Sequence, residues 1–395
     1  MLSILPYDII AQIIDSVGES DDIDLIRELA LVSHSCHQIC TKHLFATIDL
    51  HDEVPMRYAS SKKGFFKLLK RRPEVVKYIR KLSYKVEYDD FCFDYHDRML
   101  SPPILPKLLR TISFLNNFII TASMLVNWNS VDYSLTSAFI HLMGLPTINH
   151  IELSSIENLP IFSLTTSVNL RRLDIFNMSV TGDDSPEIVD LSEMMMPKIR
   201  EFHASESSQL TTHLFCAEAQ DGQRAFNFID LRRLLISCAH FPNEGWNFRY
   251  LLQNAKSLEK LRLSVVHERM LKRLHCILSS SARTLKELDL KVRYYGPRRI
   301  PRLCEEFEEM AGHNVLEVLS FEVFVNGEEE DFTGSAFKKL EEALVKPGWS
   351  ALRQVSFKVS INRWSRSTQF FEALQFLPDK YLSHLSKLES VDFSY

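Results

Sequence analysis

Five residues within ten positions have the side chains to hold a metal ion: His34, Cys36, His37, Cys40 and His43. On a helix, Cys36, Cys40 and His43 fall at i, i+4 and i+7 and share one face, and two thiolates with an imidazole are ligands that zinc takes. The same spacing serves packing, because free cysteine behaves as a small apolar residue and is often buried. Packing with no metal is the expected outcome. His267-Glu268 opens like the HExxH motif of zinc proteases, but Leu271 stands where its second histidine belongs. The chain has no GxxxxGK[ST] or GxGxxG phosphate loop and no GxSxG nucleophile elbow, and only eleven glycines from which to build such loops. A non-catalytic chain that needs no cofactor is expected.

Charge narrows the partners. Residues 62–85 carry ten Lys or Arg against one Glu, yet the whole chain has a formal charge of −5. A solvated helix face explains the basic stretch better than nucleic acid does. The run Gly327-Glu328-Glu329-Glu330-Asp331 reads as an exposed loop. The most apolar run, Ile112 to Val126, is broken by Asn116-Asn117 and is too short to span a bilayer. Seven scattered cysteines without a CxxC pair, together with the lack of a signal peptide, point to a reducing compartment, cytoplasmic or nuclear. No membrane partner is expected.

The elements that position these residues emerge from a repeat. The phrase apolar-x-x-apolar-x-apolar recurs with its first residue at Ile79, Leu109, Ile148, Leu170, Ile199, Leu231, Leu258, Leu285, Leu316, Leu352 and Leu388, and Phe45 begins an earlier copy. The steps between successive leads from Ile79 onward run from 22 to 39 residues. That interval fits one strand, one helix and two loops. The last two apolar residues of each phrase alternate with polar ones, as a strand with one buried face requires. Between phrases, Leu271/Leu274/Leu278, Leu303/Phe307/Met310, Phe337/Leu340/Leu344 and Phe371/Leu374/Leu377 have helical spacing. No single unit closes its own core, so the units must stack. The bland alternative is an ordinary α/β domain whose strands share a pattern.

These phrases resemble leucine-rich repeats of the long, strand-plus-helix type, from about residue 45 to 395, in degenerate form. The ladder Asn or Cys of that family is mostly missing; Asn177 and Cys238 stand one position early. Residues 2–45 resemble an F-box. The carrying residues are Leu5-Pro6-Tyr7-Asp8-Ile9-Ile10, the pair Ile13-Ile14, the acidic turn Asp21-Asp22-Ile23 and Leu31-Val32-Ser33. Pro6 suits a first helical turn, and Asp21 and Asp22 suit a helix N-terminus. One position departs: Cys36 stands where the family usually has Trp.

The fold expected from both resemblances is α/β, a small helical F-box (1–45) followed by an irregular leucine-rich-repeat-like solenoid of short parallel strands and helices (46–395). The resemblance implies a substrate receptor of a Skp–cullin–F-box ubiquitin ligase. Leu5, Pro6, Ile9, Ile13, Leu31 and Val32 would contact the Skp-type adaptor, and through it the cullin scaffold. The repeats would hold a protein target through outward strand positions, among them Arg172, Asp174, Lys260, Arg262, Glu287 and Asp289. The alternative is a repeat scaffold or recognition module that acts without ubiquitin transfer.

Overall fold

The computed structural model describes residues 6–20, 22–50, 62–86, 104–180, 196–207, 210–211, 214, 226–238, 251–265, 274–294, 299–325, 335–361 and 391–394. The chain forms two compact units, 1–184 with 193–197, and 185–192 with 198–395.

The first unit opens with three helices, α1 (Tyr7–Glu19), α2 (Ile23–Ala30) and α3 (His34–Leu44), and continues into strands. Five strands follow: β1 (Thr47–Leu50), β2 (Lys81–Val86), β3 (Asn117–Asn127), β4 (His150–Glu157) and β5 (Arg172–Phe176). Each pairs in parallel with the next. Between them lie α4 (Lys62–Arg71), α5 (Ile104–Leu109), α6 (Tyr133–Met143) and the single turn α7 (Phe162–Thr165).

The second unit holds β6 (Glu201–Ser205), β7 (Arg233–Cys238), β8 (Lys260–Val265), β9 (Glu287–Tyr294), β10 (Val318–Val325), β11 (Gln354–Ile361) and β12 (Val391–Ser394), again parallel to their sequence neighbours. Its helices include α8 (Leu274–Leu278), α9 (Arg299–Met310) and α10 (Ser335–Val345). Leu303, Phe307 and Met310 are buried along α9, and Leu340 and Leu344 along α10, as their spacing requires. Phe371, Leu374 and Leu377 lie outside the described residues, as do the acidic run 327–331 and His267-Glu268.

The repeat phrase sets the register. Its second and third apolar residues stack strand on strand: Leu234, Leu261, Leu288 and Leu319 are consecutive partners, as are Ile236, Leu263, Leu290 and Phe321. The lead residues Ile79, Ile148, Leu170, Ile199, Leu231, Leu258 and Leu316 are fully buried. The two residues after the lead make a second ladder, in which both backbone N–H groups donate to one carbonyl of the preceding repeat. Arg232 and Arg233 bond Arg200 O, Glu259 and Lys260 bond Arg232 O, and Lys286 and Glu287 bond Glu259 O, at 2.8–3.0 Å. The polar gap of the phrase thus satisfies backbone donors that would be costly to leave unpaired in the interior.

One copy is misplaced in the sequence reading. Residues 109–114 form no strand: α5 ends at Leu109, Ile112 is buried in the following turn, and Phe114 is 50% exposed. The strand begins six residues later, carried by Leu115-Asn116-Asn117-Phe118-Ile119-Ile120, which has the same spacing. Phe118 takes the stacked position between Leu82 and Ile151, and Ile120 the one between Tyr84 and Leu153. Asn116 and Asn117, which break the apolar run, donate their N–H groups to Arg80 O as the ladder demands.

Candidate functional site

The N-terminal helices are built by caps and a small core. Ile9 N and Ile10 N donate to Pro6 O, which starts α1; Asp22 accepts from Leu25 N and starts α2; Ser33 accepts from Cys36 N and starts α3. Such caps satisfy donors that have no intrahelical acceptor. Ile14, Ile26, Ala30, Cys36, Ile39 and Cys40 form the buried core, with Ile10, Ala11, Val17, Leu29 and Leu44 packed around it. Cys36 and Cys40 are therefore packing residues within an apolar interior. His43 turns away from them to Asp15 Oδ1 at 2.7 Å, where Lys42 also pairs. Burial acts to raise the Asp15 carboxyl, but hydrogen bonds from Lys42 and His43 outweigh it and hold the group below its ordinary range. Gly18 permits this crossing: a Cβ there would stand 2.2 Å from His43 Nδ1.

What the core does not use stays exposed. Ile9 and Ile13, one turn apart on α1, are 40% and 48% exposed, and Leu31 and Val32, in the turn after α2, are 87% and 71% exposed. Tyr7 and Leu25 add to this surface. Pro6 is exposed beside them, and Leu5 lies outside the described residues. Covering the part of each aliphatic side chain that remains exposed gains a matching share of the about 1.5–3 kcal/mol that full burial from water is worth. Five of the six residues implied as adaptor contacts thus lie on the solvent side of the three helices.

The charged sheet positions behave differently. Lys260 pairs with Glu287, and Arg262 with Asp289 at 2.5 Å, each across the β8–β9 register. Glu322 takes Lys291 and Lys358 from both neighbouring strands. These charges form a cross-strand ladder of alternating sign, partly exposed and internally compensated.

Asp174 keeps the outward strand position, between buried Leu173 and Ile175, but is covered there by its neighbours. Its side chain is 3% exposed, and Oδ2 accepts from His150 Nε2 and Arg172 Nε at 2.9 Å each. Burial acts to raise its carboxyl, and the bonds from His150 and Arg172 overcome this and lower it. Ligand atoms of His150, Glu152 and Asp174 lie within 4.8 Å of one another, a metal-like set that the sequence reading missed. The signal was available: positions i and i+2 of β4 beside the register partner of Glu152 on β5. Arg172 already supplies the positive charge that a cation would bring to Asp174, so the cluster is a compensated ion-pair network.

Among the described residues no helix is long and apolar enough to cross a membrane. The sequence matches no family model and no curated protein. Among solved structures it is similar to the crystal structure of the leucine-rich repeat-containing protein LegL7 from Legionella pneumophila, at 12% identity, covering 85% of this chain and 97% of that one, with a TM-score of 0.34. The parallel strands, the buried lead residues and the alternation with helices make this chain an α/β protein of repeated strand-and-helix units.

Proposed function

We propose that this chain is the substrate-recognition subunit of a Skp–cullin–F-box ubiquitin ligase. The supporting observation is the apolar surface of α1 and of the α2–α3 turn. Ile9, Ile13, Leu31 and Val32 remain exposed although the helices beneath them have a sealed core. Exposed apolar side chains grouped on neighbouring helices support a reading in which a protein partner covers them. In this reading the adaptor covers those residues, the cullin is reached through the adaptor, and the repeats hold a protein target. Catalysis belongs to the other subunits, and this chain supplies proximity and orientation. Target contacts fall on outward strand positions, Arg172 in the first unit and Lys260, Arg262, Glu287 and Asp289 in the second, where a partner must exchange existing ion pairs for its own.

Cys36 lies in the helical core and not on the exposed surface, so its difference from the usual Trp acts on packing. Co-purification of the full chain with a Skp-type adaptor tests the reading. Wild type is expected to bind and the Ile9→Asp/Ile13→Asp variant to lose binding. If neither binds, the ligase reading is lost and a repeat module without ubiquitin transfer takes its place.

A further inference from the structure

Helix α8 holds a thiol beside an imidazole that a carboxylate fixes in place. His275 Nδ1 lies 2.6 Å from Glu306 Oε2 on α9, and the backbone N–H of His275 donates to the same oxygen at 3.0 Å. Cys276 Sγ lies 2.9 Å from His275 Nε2. An ionised carboxylate only accepts, so the short contact to Glu306 places a proton on Nδ1. In the neutral ring this leaves the Nε2 lone pair facing sulfur, and the thiol hydrogen is the one that fills that bond. Glu306 is mostly buried, at 13% side-chain exposure, while His275 at 32% and Cys276 are open enough to meet a small molecule.

Three other cysteines are built differently. Cys36 and Cys40 sit in the helical core, where burial, with Cys36 alongside, pushes the Cys40 thiol up. Cys304 is buried on α9, and burial first, with Glu308 adding, pushes its thiol up to about 12. A buried, protonated thiol is inert, because the thiolate is the nucleophile. Among these four, the pairing of partial exposure with a carboxylate-oriented imidazole falls to Cys276.

We propose that Cys276 is a nucleophilic modification site that takes α,β-unsaturated carbonyl compounds, with His275 as the base and Glu306 positioning His275. The Sγ proton passes to His275 Nε2 as sulfur bonds to the β-carbon. The alkene π pair moves to the α-carbon and carbonyl, giving an enolate. His275 then returns the proton to the α-carbon, leaving a thioether and the neutral ring. No oxidant, reductant or leaving group is involved. The site does not depend on the adaptor reading of the N-terminal helices.

The test is the labelling rate of each cysteine by acrylamide at neutral pH, mapped by mass spectrometry in the folded full chain and in the same chain unfolded in urea. Cys276 is expected to react on the order of tenfold faster folded than unfolded, general-base assistance outweighing its partial burial. His275→Ala should remove the acceleration, and added imidazole should restore part of it. Glu306→Gln should slow Cys276 and move the ring nitrogen-15 shifts of His275 away from the Nδ1–H tautomer, which a purely structural role would leave alone. Equal or slower labelling in the folded wild type overturns the proposal, and so does a folded His275→Ala variant that labels at the wild-type rate. The wild-type comparison decides the matter even where a variant does not fold.

Discussion

The N-terminal helices and the strand repeats solve the same problem in opposite ways. Along the described strands nearly every apolar residue of the phrase is buried, and charges between them pair with the next strand, as Lys260 does with Glu287 and Arg262 with Asp289. In the helices a core of six residues is sealed, yet Ile9, Ile13, Leu31 and Val32 stay in water. The difference lies in how each closes. A repeat has a neighbour of its own chain against each apolar face, so its pattern is fully absorbed by stacking. Among the described residues the three short helices have no such neighbour on their outer side, and apolar surface beyond the needs of their own core stays exposed there; under the proposed function it is the surface that a partner covers. A region held together by repetition shows little of its purpose in its apolar residues; a region with apolar residues left over does.

This contrast can be broken at several points. The largest effect is expected from Ile9→Asp/Ile13→Asp, which should weaken adaptor binding by at least about a hundredfold, as loss of anchor residues does. Its unfolding free energy should change by less than about 1 kcal/mol, since both side chains are already exposed. A pull-down paired with a urea melt separates the two, and a large loss of stability would mean that these residues serve the fold. Leu261→Ala should do the reverse: about 3 kcal/mol of destabilisation from a cavity between Leu234 and Leu288, with adaptor binding intact. Cys36→Trp tests the buried place of Cys36. Overpacking should cost about 1–3 kcal/mol, and a variant that instead binds the adaptor more tightly without losing stability would put residue 36 on the docking surface.

Asp174→Asn leaves Arg172 and His150 without their buried anion, at a cost of about 2 kcal/mol, below the full value for a buried pair because Arg172 is half exposed. The wild-type contribution also has a defined pH dependence. The Asp174 carboxyl is lowered in the folded chain, so its stabilisation is present above the ordinary carboxyl range near pH 4 and is lost as pH falls through the lower, folded value. Acid melts of wild type and Asp174→Asn should converge below that range. The smallest effect belongs to Arg262→Ala. It removes a partly exposed ion pair to Asp289 and should shift stability by less than about 0.5 kcal/mol, so any larger effect on target capture reports binding.

Much of the fold was legible because the phrase carries both ladders at once: apolar residues for the stack and polar ones whose backbone closes on the previous repeat. Eleven of its twelve copies mark strands. The copy at 109–114 failed because Leu109, Ile112 and Phe114 have the right spacing by chance, with Leu109 ending a helix and Ile112 closing its turn. Spacing alone cannot separate these from Leu115, Phe118 and Ile120, since the choice depends on which segment reaches Arg80 O. Of the surface, Ile9, Ile13, Leu31 and Val32 were named from family resemblance, while the Asp174 network and the Cys276–His275–Glu306 chain were not seen.

The sequence by itself determined the repeating strands, their parallel stacking and the helical start, because period and polarity are local properties that every copy restates. Only the tertiary structure decided which polar groups face each other. His150 meets Asp174 across 24 residues, and His275 meets Glu306 across 31. Hydrogen bonds and ion pairs need tenths of an ångström, and that precision comes from register between strands and helices, which no single stretch of sequence contains.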